Sequence, residues 1–216
     1  MNYTALQNRV QDLCSFGGWT DLSSTPDYGD LVNRGYRQVC WNTQVYKTTA
    51  TITTVASQNL YTLSGTDIIA VYDSIYGTSL PMFPSSELEQ RRQDYLWMFR
   101  AAGSPRYYWM QNPNQIYLYP APATSGDTIT LYLSRLPADL SSGSDLPVFP
   151  VTFHDAIAYR AACFLGERYA TGDEMARLQL YMSEATRLEA DMMNWLGFEN
   201  KPAERYVQAV VPRRRR

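Results

Sequence analysis

Histidine occurs once in this chain, as His154, lysine only as Lys47 and Lys201, and cysteine three times in 216 residues. Each scarcity removes a class of chemistry. A single histidine leaves no Ser-His-Asp arrangement to build except around His154 itself. A lone histidine near a helix start is more often a surface or capping residue than a general base. Cys14, Cys40 and Cys163 are odd in number, far apart, and set beside apolar or aromatic residues, so they give no disulfide framework. They have no metal-ligand spacing and no histidine partners, which removes a zinc site. They read as reduced, buried thiols. No GxxxxGK[ST] or GxGxxG is present, so no glycine loop cradles a phosphate. No stretch approaches the roughly 20 apolar residues of a membrane helix. The opening MNYTALQNRV has no apolar run of signal-peptide length. The expectation is a non-enzyme with no cofactor, no metal and no membrane, made and kept in a cytoplasm.

What is present fits a globular protein: 45% hydrophobic residues, five Trp and 17 Tyr suffice for a core. The formal charge of -2 hides an asymmetry. Four of the 19 basic residues are Arg213, Arg214, Arg215 and Arg216, which leaves a body of 15 basic against 21 acidic residues, net -6. An acidic body argues against broad nucleic-acid wrapping, which needs phosphate neutralisation.

The pattern divides the chain into zones. Over 1–46, Thr4 can cap a helix carrying Leu6, Val10 and Leu13 that ends near Gly17 and Gly18. A second helix starting at Asp27 places Leu31, Arg34, Gly35, Gln38, Val39 and Trp41 at helical spacing up to Tyr46. Over 47–137, β-branched and aromatic runs with Gly and Pro punctuation predict strands. They include a hairpin turning at Asn112, Pro113 and Asn114, and a half-buried strand alternating Ile129, Leu131 and Leu133 with polar residues. SSELEQRRQDYLWMFR interrupts them as an inserted helix, with Ser85 or Ser86 and Glu89 able to form a capping box. Its Glu87 and Glu89 read as solvated. Over 138–196, a proline-bearing linker leads to a helix with Phe153, Ile157, Ala161, Phe164 and Leu165 on one face. After Gly172, a second helix carries Met175, Leu178, Met182, Leu188 and Met192. The predicted fold class is α+β: an antiparallel helical bundle from both terminal segments, an inserted antiparallel β region, and an extended C-terminal arm over 197–216.

That arm has a break at Gly197 and prolines at 202 and 212, yet Tyr206, Val207, Val210 and Val211 are apolar with no core of their own. A disordered terminus is one reading. A docking arm, apolar in the middle and cationic at Arg213 to Arg216, is the preferred one. Aromatics crowd into the middle zone from Tyr95 to Tyr119. They serve as core and cross-strand pairs, as base-stacking platforms beside Arg91, Arg92, Arg100 and Arg106, or as interface anchors. For an inter-subunit or tail interface the candidates are Arg91, Arg92, Trp97, Phe99, Arg106 and Tyr108.

One segment resembles a known family. IYLYPAPATSGDTITLYLSRLPADL followed by LPVFPVTFHDAIAYRAACFLGERYA is a strand ending in Tyr-Pro-x-Pro, a turn, a strand, a Leu-Pro segment, then Pro and a helix opening Phe-His-Asp-Ala. Over about 115–170 this is similar to the head-to-tail adaptor (head completion, connector) proteins of tailed bacteriophages; elsewhere the likeness is one of architecture. The resemblance implies a structural protein of the virion neck: a ring, typically a dodecamer, docked beneath the portal protein. Such a ring extends the DNA channel, contacts tail or nozzle proteins, and sends its C-terminal arm along the portal. DNA would pass through it non-specifically, past an acidic lumen that repels phosphate. The alternative is an aromatic-rich protein- or carbohydrate-binding module with no viral role.

Overall fold

The computed structural model describes residues 1–18, 27–65, 67–77, 80–84, 102–112 and 114–199. Those residues form four α-helices and two four-stranded sheets, a mixed α+β protein. They fall into two compact units: Met1–Val45 with Ala138–Arg216, and Tyr46–Pro137.

In the first unit, helix α1 (Tyr3–Gly17) is capped not by Thr4 but by Asn2, whose side chain accepts from the Ala5 N–H at 2.9 Å. The Thr4 N–H is turned to the Gly143 carbonyl at 3.4 Å instead. Gly18, at φ 87°, closes the helix in the left-handed region where glycine carries no Cβ penalty. Helix α2 (Tyr28–Thr43) starts where the sequence places it: Asp27 accepts from Gly29 and Asp30 N–H at 2.9 and 3.1 Å. It ends before Tyr46, because Gln44 turns to φ 51° and donates to the Cys40 carbonyl.

A single 3-10 turn, Val151–Phe153, leads into α3 (His154–Tyr169), which packs against α1, α2 and α4 (Glu174–Glu199). That explains why α3 is apolar on nearly every side, with Ala156, Ile157, Ala158, Ala161, Ala162, Cys163 and Leu165 buried. A Cβ on Gly35 of α2 would lie 2.7 Å from the Ile157 carbonyl oxygen, so glycine there permits the close approach of the two helices. On α4 the buried face is Leu178, Tyr181, Ala185, Glu189 and Met192, while Met175, expected on it, is 44% exposed. The helix also runs through the break expected at Gly197 and continues to Glu199.

The second unit begins with β1 (Lys47–Thr53), β2 (Leu60–Thr62), β3 (Ile68–Tyr76), β4 (Leu80–Pro81) and β5 (Phe83–Pro84). It continues with β6 (Tyr107–Asn112), β7 (Gln115–Tyr119) and β8 (Thr128–Arg135). The sheets have strand orders β1-β8-β3-β4 and β2-β7-β6-β5. One core joins them: Ile52, Ile129, Leu131 and Leu133 from the first sheet meet Tyr61, Tyr108, Ile116 and Leu118 from the second. This is sheet-on-sheet packing. The expected hairpin is β6 and β7, and the alternation of β8 puts Ile129, Leu131 and Leu133 inside. The β region is not wholly antiparallel, however: β5 runs parallel to β6. β1 pairs with β8 from Lys47↔Ser134 to Thr53↔Thr128, and the Arg135 N–H donates to the Tyr46 carbonyl at 3.0 Å. The expected helix over 85–100 lies outside the described residues.

Candidate functional site

Of the expected interface residues, Arg91, Arg92, Trp97 and Phe99 lie outside the described residues, as do Tyr206, Val207, Val210, Val211 and Arg213 to Arg216 of the arm. The other two differ in exposure, and Arg106 lies just ahead of β6. Tyr108 is 2% exposed in the core between the sheets, where burial pushes its phenol pKa up. Its ring is committed to its own subunit. Arg106 is exposed, and its backbone is tied down: its N–H donates to the Tyr119 carbonyl and its own carbonyl accepts from the Phe83 N–H, at 2.9 and 2.8 Å.

Those bonds set Arg106 beside an aromatic surface. Phe83 is 57% exposed, and its ring centroid lies 6.4 Å from that of Tyr107. Further along the same face of the hairpin, Trp109 stacks on Tyr117 at 4.2 Å with an 18° interplanar angle. The alternation sends Tyr107, Trp109, Tyr117 and Tyr119 to one face and Tyr108, Met110, Ile116 and Leu118 to the other. Both faces carry buried residues: Trp109 and Tyr119, at 8% and 2% exposed, form a second core cluster with Tyr107 and Tyr117 packed against it. Two more exposed apolar groups were not read as surface from sequence: Trp41 on α2, placed there only by helical spacing, and Leu146, Val148 and Val151 ahead of α3.

His154 is neither at the surface nor a cap. It is 3% exposed, its Nε2–H donates to the Phe149 carbonyl at 2.9 Å, and Nδ1 accepts from the Met1 amino group at 2.6 Å. Desolvation lowers its pKa and the neighbouring ammonium lowers it further, against the carbonyl bond that raises it. The ring is neutral and both nitrogens are engaged, which leaves neither free to take a proton from a substrate. The three thiols are buried, and desolvation pushes Cys14 and Cys40 to about 12 and Cys163 to about 11. They are protonated at neutral pH and poor nucleophiles. Among the described residues no group of three His, Cys, Asp or Glu side chains is placed to hold a metal ion. No described helix is long and apolar enough to cross a membrane.

The charged group that sequence reasoning missed is Glu189. It sits on the buried face of α4 and takes a two-pronged ion pair from Arg160 of α3, Nε to Oε1 at 2.7 Å and Nη2 to Oε2 at 2.8 Å. Asn42 of α2 adds a third bond at 3.0 Å. Three helices are therefore pinned by one carboxylate.

The SU10 adaptor protein model matches residues 1–206. The chain belongs to the SU10 adaptor family. It is accordingly a bacteriophage structural protein of the head-to-tail adaptor kind and a component of the virion, a role that implies contact with portal and tail proteins. The match stops at Tyr206, so Val207 to Arg216 lie beyond it. A search of curated proteins returned no match.

Proposed function

We propose that this SU10-family adaptor assembles as a closed ring, of twelve copies, beneath the portal, extends the DNA channel and presents a surface to tail or nozzle proteins. The observation that carries the proposal is the family match along nearly the whole chain. In this reading α1 to α4 form an antiparallel bundle, and residues 197–216 are an arm that docks on the portal. Arg91, Arg92, Trp97, Phe99 and Arg106 lie at inter-subunit or tail contacts, since Arg and aromatics are the residues that anchor interfaces. Phe83 and Tyr107 beside Arg106 extend that set. The net -6 body suits a conduit whose wall repels phosphate. No catalytic step is assigned. Assembly takes place in the host cytoplasm.

Size-exclusion chromatography with light scattering tests this, on the protein alone and with purified portal. The expected outcome is a complex whose mass fits a ring of adaptors on the portal. A protein that ignores portal and binds glycans as a monomer would instead be a carbohydrate-binding module.

A further inference from the structure

Among the described residues four strands end the two sheets, and three of them are guarded. β4 and β5 are two residues long and each contains a proline. At β2, the Gln58 side chain donates to the Leu60 carbonyl at 2.7 Å and occupies an acceptor on the outer side. β1 is different. It runs for seven residues, Lys47–Thr53, with neither Pro nor Gly, and Thr48, Thr49, Thr51, Ile52 and Thr53 are all β-branched.

The ladder to β8 fixes which backbone groups of β1 remain open. Arg135 N–H bonds the Tyr46 carbonyl at 3.0 Å, and Thr54 N–H bonds the Asp127 carbonyl at 2.8 Å. In an antiparallel pair, hydrogen-bonded residues alternate with those whose N–H and C=O point away. Positions 46, 48, 50, 52 and 54 therefore face β8, and Lys47, Thr49, Thr51 and Thr53 turn their N–H and C=O to the open edge. Lys47 is the one charge on the strand, and a lysine is the usual edge guard. Here its Nζ is drawn across the sheet, 5.2 Å from the centroid of the Tyr72 ring of β3.

We propose that this edge pairs antiparallel with β1 of a second copy, joining two four-stranded sheets into one across a two-fold axis at Ala50. The edge is complementary to itself. Pairing about Ala50 sets Lys47 opposite Thr53 of the second copy and Thr49 opposite its Thr51. All four outward residues then meet outward residues, so every open N–H finds a C=O. Threonines face threonines, a favourable cross-strand pair, and the two lysines stand at opposite ends. A two-fold contact generates a pair and does not close a cyclic ring. The pairing thus belongs to the free subunit and stands apart from the ring reading.

Sedimentation of the full chain over a concentration series tests it. The wild type is expected to show a reversible dimer. Thr51→Pro deletes an N–H that has no partner among the described residues of the subunit, and by symmetry removes two bonds from the pair. It should weaken the dimer roughly thirtyfold with the melting temperature nearly unchanged. Should proline disturb the strand, the double variant Thr49→Lys/Thr51→Lys keeps every backbone group and sets lysine opposite lysine, so it should be a folded monomer. A wild type that is monomeric at every concentration overturns the proposal. So does an assembly, dimer or ring, that folded variants leave unchanged.

Discussion

The neutral His154 couples the helical unit to pH. Its folded pKa lies below the ordinary 6.5, because burial and the adjacent ammonium disfavour the charged ring. The unfolded chain therefore takes up a proton first as pH falls. The stability contributed by the neutral ring is complete above 6.5 and declines as pH drops below 6.5 toward the folded value. The expected result is a melting temperature that falls between pH 7 and 5.5, with a slope of at most about 1.4 kcal/mol per pH unit, the ceiling for one proton. His154→Gln should remove that slope, so equal slopes in both proteins would contradict the assignment. Asp127 and Asp145 act in a separate window. Hydrogen bonds from Thr124 and Tyr76, and from the Ser142 and Ser141 N–H groups, lower their pKa values from 3.8, so their contribution disappears only in stronger acid. Glu189 belongs to the same scale. Its burial is tolerable because Arg160 and Asn42 complete its hydrogen bonds.

At the level of elements, α4 supplies a direct check. Gly197 lies inside the helix, and a Cβ there would meet nothing within 4 Å. Gly197→Ala should therefore stabilise the protein by about 0.5–1 kcal/mol through reduced unfolded-state entropy and better helix propensity. A neutral or destabilising result in thermal melts would show that the helix stops earlier. The same helix shows what a sequence can convey. Asp27 announced α2 because an aspartate cap acts locally. The alternation of β8 announced its buried face because the strand period of two maps directly onto sides. Gly197 misled because propensity weighs one residue, whereas the helix is held by all of its turns. Met175 misled because helical spacing gives a stripe but not how far along it the neighbouring helices reach. Glu189 was invisible because a buried carboxylate is made acceptable by Arg160 and Asn42, far away in sequence. The division of the hairpin aromatics between two faces was legible as alternation. That both faces hold buried clusters was not, because burial is set by what packs on each face and not by the alternation.

For the whole molecule, the arm is the part with the clearest experimental handle. Tyr206, Val207, Val210 and Val211 would each bury apolar surface on a portal, with modest affinity per arm and multiplication around a ring. Deleting residues 202–216 should abolish portal docking in a co-sedimentation assay while leaving the melting transition unchanged. Salt separates the two partners open to Arg213 to Arg216. Four contacts to duplex DNA would give a log-log slope of about -3.6, whereas a portal contact made chiefly by apolar residues would respond weakly. A truncated chain that still docks would show the arm to be dispensable.

The single bond between the Tyr46 carbonyl and the Arg135 N–H, 3.0 Å long, has a consequence for ancestry. The chain enters and leaves the β unit through adjacent antiparallel strands, so everything between them is a closed detour whose two ends are already fastened together. A detour of that kind is a cassette. It can lengthen, shrink or be traded for another without changing the gap that the flanking helical segments must bridge. An adaptor lineage can therefore keep its helices while replacing the whole β unit.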